Sequence, residues 1–387
     1  MIVLDGMDGQ LLANAIPTLM QEWDRPRAAF ANASAAAPFG MILGGIAGGM
    51  LGDRFGRRTA LLGSVITFGV LTLATVLVEN MTMLTAVRFI AGIGLGGAMP
   101  NAAALVAEFA PPRHRPLAIT ATVVCIPLGG FVGGLLAGQI IPEYGWRALF
   151  VIGGLAPTIL ALSLVKVLPE SPGFLAARRS TAAASIAALF TPELRRDSLS
   201  LIVSFMSCLL AIWIGFLWIP SMLTDAAVGF APSDASYVLS VFNIGGVAGA
   251  IAGAVVIQRI GSRIALLTIT ALAIGASLVM AALPPDNSAM TRTMVLFAIT
   301  GALMNAVQAT MYALAAHVFP TEIRGTGVGT TVAVGRVGNV LASYVGSWAL
   351  LLGGPPLFFT TWAVALAIVF VGLSLVRRHI PASRSYA

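Results

Sequence analysis

Charge is what this sequence has least of. Asp, Glu, Lys and Arg make up 10% of its 387 residues, against about 25% in a soluble domain. So little charge excludes a string of soluble domains, and 58% hydrophobic residues with a mean hydropathy of +0.93 point to a polytopic membrane protein. Cysteine is nearly absent. Cys125 and Cys208 both lie in apolar runs, which excludes a disulfide framework or a thiolate metal site and leaves packing. No phosphate-binding loop is present, so ATP is not the energy source. No nucleophile triad or metal cluster appears, so an enzyme is not expected, and neither is a cofactor or metal. A membrane sensor needs a signalling domain, and no stretch is long and polar enough to be one. The first apolar run lacks a basic flank and a cleavage site, so no cleavable signal peptide is expected.

What is present is a series of apolar runs. Twelve are long enough to span a bilayer, at about 20 residues each, with limits near 1–20, 28–51, 59–78, 82–107, 116–141, 146–168, 198–223, 234–257, 264–284, 292–318, 326–352 and 356–376. The predicted organisation is a six-helix bundle over 1–168, a linker over 169–197, a second six-helix bundle over 198–376 and a tail over 377–387.

The net charge is +7. On a soluble protein that excess would suggest nucleic acid. Here the basic residues sit in short gaps between apolar runs, so no nucleic-acid partner is expected. With both termini cytoplasmic, sixteen Lys and Arg fall in inner loops and tail (including Arg54, Arg57, Arg58, Arg113, Arg115, Arg178 and Arg179) and four in outer loops (Arg25, Arg27, Arg147 and Arg292). That bias sets the orientation, and the expected location is the plasma (inner) membrane.

The two halves repeat. "GMILGGIAGGMLGDRFGRR" (40–58) matches "GGVAGAIAGAVVIQRIGSR" (245–263) at an offset of 205, and "AEFAPPRHR" (107–115) matches "AHVFPTEIR" (316–324) at an offset of 209. Two offsets this close indicate a duplicated six-helix unit, an arrangement common in transporters.

Two acids open the chain. Asp5 and Asp8 in "LDGMDGQ" are three residues apart and share a helix face. Two like charges in a low-dielectric site are not both comfortably ionised, so the pair is the candidate proton carrier. Asp8 to Met20 is about 18 Å of helix, which puts Asp8 near the middle of the bilayer. Only seven residues precede it, about 10 Å against about 15 Å of remaining hydrocarbon. The first helix is therefore expected to be truncated, and the natural chain to extend upstream by roughly 10 residues.

Two arginines lie inside spans. Arg88 sits roughly 9 Å into the fourth, where a lone charge costs about 2.5–3.5 kcal/mol, so it is expected to face the bundle interior. Arg336, in "GRVGNV", lies about 15 Å into the eleventh. A permanent cation there wants a carboxylate, either the substrate's or Asp8's when the site is empty. Asn305, Gln308 and Tyr312 share one face of the tenth span and are candidates to read ring hydroxyls. Trp213, Phe216 and Trp218 are candidates to stack on a ring. Asp53, Arg54 and Arg58 in the loop after the second span form a candidate gate. Glu108, Glu322 and Arg324 lie at helix ends as candidate gate partners, and His317 aligns with Glu108 across the repeat.

"GGMLGDRFGRR" (48–58) resembles the loop signature of the major facilitator superfamily, whose Asp and Arg form an inner gate. That maps onto Asp53, Arg54 and Arg58, with Gln258 replacing the acid in the second half. "LDGMD", "GLGGAMPN" (94–101), "PESPGFL" (169–175) and "FPTEIRGTGVG" (319–329) together look like the aromatic acid:proton symporter branch. The resemblance implies twelve transmembrane helices in the major facilitator fold. It also implies proton-coupled, alternating-access import of a benzoate-, hydroxybenzoate- or cinnamate-like acid, with Asp5, Asp8, Asp53 and Arg88 as functional positions. The "PESP" motif is shared with sugar porters, which leaves a sugar porter or a drug:proton antiporter as the alternative. The expected partners are the organic anion, protons and the lipid bilayer, and a monomer is expected to suffice.

Overall fold

A computed structural model describes residues 1–111, 115–171, 186–320 and 323–382. All regular elements among them are helices. The ten α-helices are α1 Ile2–Glu22, α2 Ala31–Phe55, α3 Arg57–Ala74, α4 Met81–Phe109, α5 Arg115–Leu164, α6 Arg195–Leu223, α7 Pro232–Ile260, α8 Ser262–Ala282, α9 Met290–Val318 and α10 Arg324–Leu375.

Two of these helices are double. α5 breaks at Gly145 (φ 75°) and α10 at Gly354 (φ 58°), a backbone region that only glycine enters freely. Ten helices with two breaks make twelve rods, where the sequence carries twelve apolar runs. The breaks lie 209 residues apart. Gly56 (φ 98°) and Gly261 (φ 81°), 205 apart, turn α2 into α3 and α7 into α8. The two offsets seen in the sequence thus return as matched turns.

Nine helical segments among the described residues are long and apolar enough to cross a membrane, two of them (124–164 and 326–375) long enough to cross twice. α1 is not among the nine, because Asp5, Asp8, Gln10 and Asn14 interrupt it. All four are buried, so the polar stripe of α1 turns into protein. Large side chains such as Leu77 and Met50 stand fully out from the surface. On a soluble protein they would form a sticky patch; here they meet lipid.

The chain divides into two compact units. The first is Met1–Thr181 with Ile219–Asp225 and Phe230–Ser240; the second is Ala182–Trp218, Ala226–Gly229 and Val241–Ala387. In the first, a core of Leu61, Leu62, Val65, Phe68, Leu95 and Ala98 joins α3 to α4. In the second, Phe242, Phe297, Phe358, Phe359 and Trp362 pack ring against ring at centroid separations of 5.3–6.5 Å.

The chain after α10 doubles back onto the α7–α8 turn. Ser262 donates its backbone N–H to Ile380 O (2.9 Å) and accepts from Ile380 N–H at its hydroxyl (2.8 Å). His379 Nε2 donates to Val376 O (3.1 Å), which leaves Nδ1 to accept from Ser262 Oγ (3.2 Å). Arg377 N–H caps Asp197 (2.8 Å). Burial pushes the His379 imidazole below its ordinary value. The Val376 carbonyl and Asp197 pull it up, and Arg263 and His317 push it down. A lowered imidazole pKa means that the strap holds the neutral ring. It is whole above about pH 6.5 and weakens as pH falls below that value. Hydrogen exchange at Arg377 and Ile380, corrected for intrinsic rate, is expected to speed up between pH 7.5 and 5.5 and to lose that dependence in His379→Gln. A wild-type profile without pH dependence would remove His379 as the titrating group.

Candidate functional site

α1 carries the acids and packs tightly against α5. A Cβ on Gly6 would strike the backbone of Ile126, and one on Gly129 the backbone of Val3 and Met7. This close approach presses the polar stripe of α1 into the first unit. Asp5 is 6% and Asp8 0% exposed.

Asp8 meets two other helices. Arg88 of α4, 1% exposed, donates from Nη2 to Asp8 Oδ2 (3.2 Å) and to the Asp8 carbonyl (3.3 Å), and from Nη1 to Oδ1 (3.4 Å). Thr72 of α3 donates its hydroxyl to Asp8 Oδ1. Arg88 Nε has no hydrogen-bond partner among the described residues. Arg88 therefore faces the bundle interior, as its depth predicts. Sequence reasoning offered Arg336 as the cation for an unloaded Asp8; Asp8 takes Arg88 instead.

A buried ion pair loses its hydration and recovers it only through good geometry. Here the carboxylate has three side-chain contacts, one from a neutral hydroxyl. The pair is a charge-balanced element that one proton unbalances: protonating Asp8 cancels its attraction for Arg88 and leaves a buried cation in need of an anion.

In the second unit, Arg336 of α10 is half-buried and close enough to act electrostatically on the Tyr312 phenol of α9. Tyr312 stands edge-on to Phe205 of α6 (5.1 Å between centroids). These three groups supply a cation, a hydroxyl and an aromatic face within one unit. Asn305 lies buried one to two turns along α9, donating to Gly301 O (3.0 Å) and facing Gly246 of α7. Gln308 is half-buried between them in sequence. Trp213 packs edge-on to Phe216 (6.1 Å). Trp218 departs from its predicted stacking role, because it is 0% exposed and donates its indole N–H to Ala342 O (3.1 Å).

Arg57 and the backbone of Arg58 find carboxylates, neither of them Asp53. Arg57 pairs with Glu108 (2.6 Å), which also accepts the Ser171 hydroxyl. Arg58 gives its backbone N–H to Glu170 Oε1 (2.9 Å) and its guanidinium to Val165 O. Glu170 also accepts Ser171 N–H (2.9 Å). It sits at the start of α3, where a carboxylate suits the helix dipole. Asp53 and Arg54 are exposed, and Arg54 rests over the Phe55 ring (5.1 Å). Arg324 Nε donates to Phe319 O at 3.5 Å. Glu322 lies outside the described residues.

Sequence reasoning missed Thr72 and Glu170. Thr72 carried no more signal than any hydroxyl in an apolar helix. Glu170 was quoted within "PESPGFL" as a family mark, without a role of its own.

The Major Facilitator Superfamily matches residues 1–291 and 222–386. A 4-hydroxybenzoate transporter, PcaK, of Pseudomonas putida is 32% identical over 389 residues, covering 91% of this chain and 84% of the relative. A gallate transporter of Pseudomonas putida is 33% identical over 414 residues, covering 97% and 90%. A benzoate transport protein of Acinetobacter baylyi is 26% identical, covering 95% and 85%. Among solved structures, a D-xylose-proton symporter superposes with a TM-score of 0.76 at 17% identity, over 99% of this chain and 96% of the other.

Proposed function

The chain belongs to the Major Facilitator Superfamily, and on that footing we propose that it imports a small aromatic carboxylic acid together with protons. It is an integral membrane transporter, not an enzyme. Relatives named for 4-hydroxybenzoate, gallate and benzoate support the substrate class.

The observation that carries the coupling is the sealed Asp8–Arg88 pair with its Thr72 hydroxyl. A proton arriving on Asp8 releases Arg88, and the two events are tied because neither charge is stable alone in that setting. Asp5, buried on the same face of α1, is the second group on the proton's route. Arg336 holds the carboxylate of the substrate, Tyr312 offers a hydroxyl to the ring substituent, and Asn305, Gln308 and Trp213 complete the recognition. Asp53, Arg54, Arg58, Glu108, Glu322 and Arg324 serve as gating residues, joined in that role by Arg57 and Glu170, and transport proceeds by alternating access. The chain works as a monomer in the inner membrane with both termini cytoplasmic, driven by the proton gradient and without a cofactor.

Uptake of labelled benzoates, hydroxybenzoates and cinnamates by cells expressing the protein tests this reading. Accumulation of at least one acid is expected, with collapse to equilibration when a protonophore is added. Accumulation that survives the protonophore removes proton coupling; indifference to every acid removes the substrate class.

A further inference from the structure

The first unit carries an open apolar groove of about 310 Å³ that the transport reading does not use. Its lining includes Gly48, Leu51 and Phe55 on α2, Gly63 on α3, and Ile93 and Gly97 on α4. α2 lines it from Gly44 to Phe55, a rise of about 16 Å along the helix. That length matches one leaflet of a hydrocarbon core about 30 Å thick. Gly44 and Gly48 of α2 seat against Ile93 and Gly97 of α4 to form its floor, Gly63 opens onto empty space, and Phe55 and Leu51 stand about half exposed at one end.

That end carries a cation. Arg54 occupies the last turn of α2, with its guanidinium over the ring of Phe55, which lines the groove. Its two neighbours are engaged, Arg57 with Glu108 and Arg58 with Val165 O. Arg54 makes no ion pair with a described residue. A slot one leaflet deep ending at a guanidinium that makes no ion pair with a described residue is complementary to one amphiphile: an acyl chain in the slot and a phosphate at its mouth. We propose that the groove between α2, α3 and α4 binds one acyl chain of an anionic phospholipid, with Arg54 holding the headgroup. A basic side chain at a helix end is a known form of headgroup recognition, and the arginine stem reaches the interface while its head stays wet. The lipid lies against the same loop that carries Arg57 and Arg58, so its headgroup charge bears on the gate network.

The test uses the full chain in vesicles, with phosphatidylglycerol and phosphatidylethanolamine carrying the same photoactivatable acyl chain. Labelled peptides are mapped by mass spectrometry. Phosphatidylglycerol is expected to label 44–67 and 93–97 about fivefold more than phosphatidylethanolamine, the preference that one basic contact to an anionic headgroup confers. Gly63→Phe is expected to abolish the groove label. A Cβ at Gly63 meets no atom within 4 Å, so the substitution fills the slot without disturbing the helices, and retained labelling of the exposed face of α8 confirms an intact fold. Arg54→Gln is expected to keep the label but equalise the two lipids. Equal labelling by both lipids in the wild type, or unchanged labelling in Gly63→Phe, overturns the proposal. So does an unlabelled groove that cross-links instead to a second copy of the chain.

Discussion

Asp8→Asn is expected to leave a protein that exchanges substrate across the membrane but no longer accumulates it against a gradient. Asparagine keeps the shape and still accepts from Thr72, but takes up no proton. Net accumulation should fall at least tenfold, the threshold at which about 1.4 kcal/mol of driving force has been lost. The variant also strands Arg88, since removing one partner of a buried pair costs about 3–5 kcal/mol. Reduced yield is therefore expected alongside the transport defect. The double variant Asp8→Asn/Arg88→Gln separates the two effects. It removes both charges, so stability should return through coupling between the sites, while accumulation stays lost. If either variant still accumulates substrate in response to a pH gradient, the proton passes elsewhere, and Asp5 becomes the first residue to test.

Arg336→Ala is expected to abolish uptake while the protein still reaches the membrane. Losing a charged hydrogen bond to a carboxylate costs about 1.5–3 kcal/mol, or roughly 10- to 150-fold in affinity. Arg336→Lys should recover only part of that, because an ammonium lacks the two-pronged geometry that matches a carboxylate. Arg336 is half-buried and within electrostatic reach of Tyr312, whereas Arg88 is 1% exposed, so its loss should affect substrate more than fold. Tyr312→Phe is the companion variant. It should weaken hydroxybenzoates relative to benzoate, since only the former lose a hydroxyl partner. Wild-type rates in Arg336→Ala would remove this residue from substrate binding.

Asp53 shows how little a motif says about partners. Its place in "GDRFGRR" marks it as a gate acid, without saying which residue it meets or which carboxylates the arginines beside it meet. Arg57 pairs with Glu108 at the end of α4, and the Arg58 backbone N–H meets Glu170 in the segment that follows α5. Residues three to five apart at a tight turn point in different directions, whereas the ends of neighbouring helices converge there. The same limit explains Thr72. It lies 64 residues from Asp8, and Arg88 lies 80 away, separations at which spacing carries no information about contact. Trp218 fails for a related reason. An aromatic run marks an apolar surface, but only packing decides which ring faces inward.

Local rules, by contrast, were legible in full. Apolar length sets the number of crossings, because each helix must satisfy its backbone over the thickness of the hydrocarbon. The breaks at Gly145 and Gly354 fall between predicted runs because only glycine accepts those backbone angles at low cost. The offsets of 205 and 209 foretold paired turns because a duplicated unit repeats its backbone along with its side chains. The depth of Arg88 foretold an inward orientation because a guanidinium facing lipid is too costly. The sequence alone thus determined the helices, their duplication, and which charged residues had to be enclosed. Tertiary packing alone decided that Asp8 closes on Arg88 and Thr72, that Glu170 rather than Asp53 meets the start of α3, and that Arg336 comes within electrostatic reach of Tyr312. Composition and periodicity are properties of neighbouring residues, whereas a charge inside a membrane finds its partner on whichever helix packs beside it.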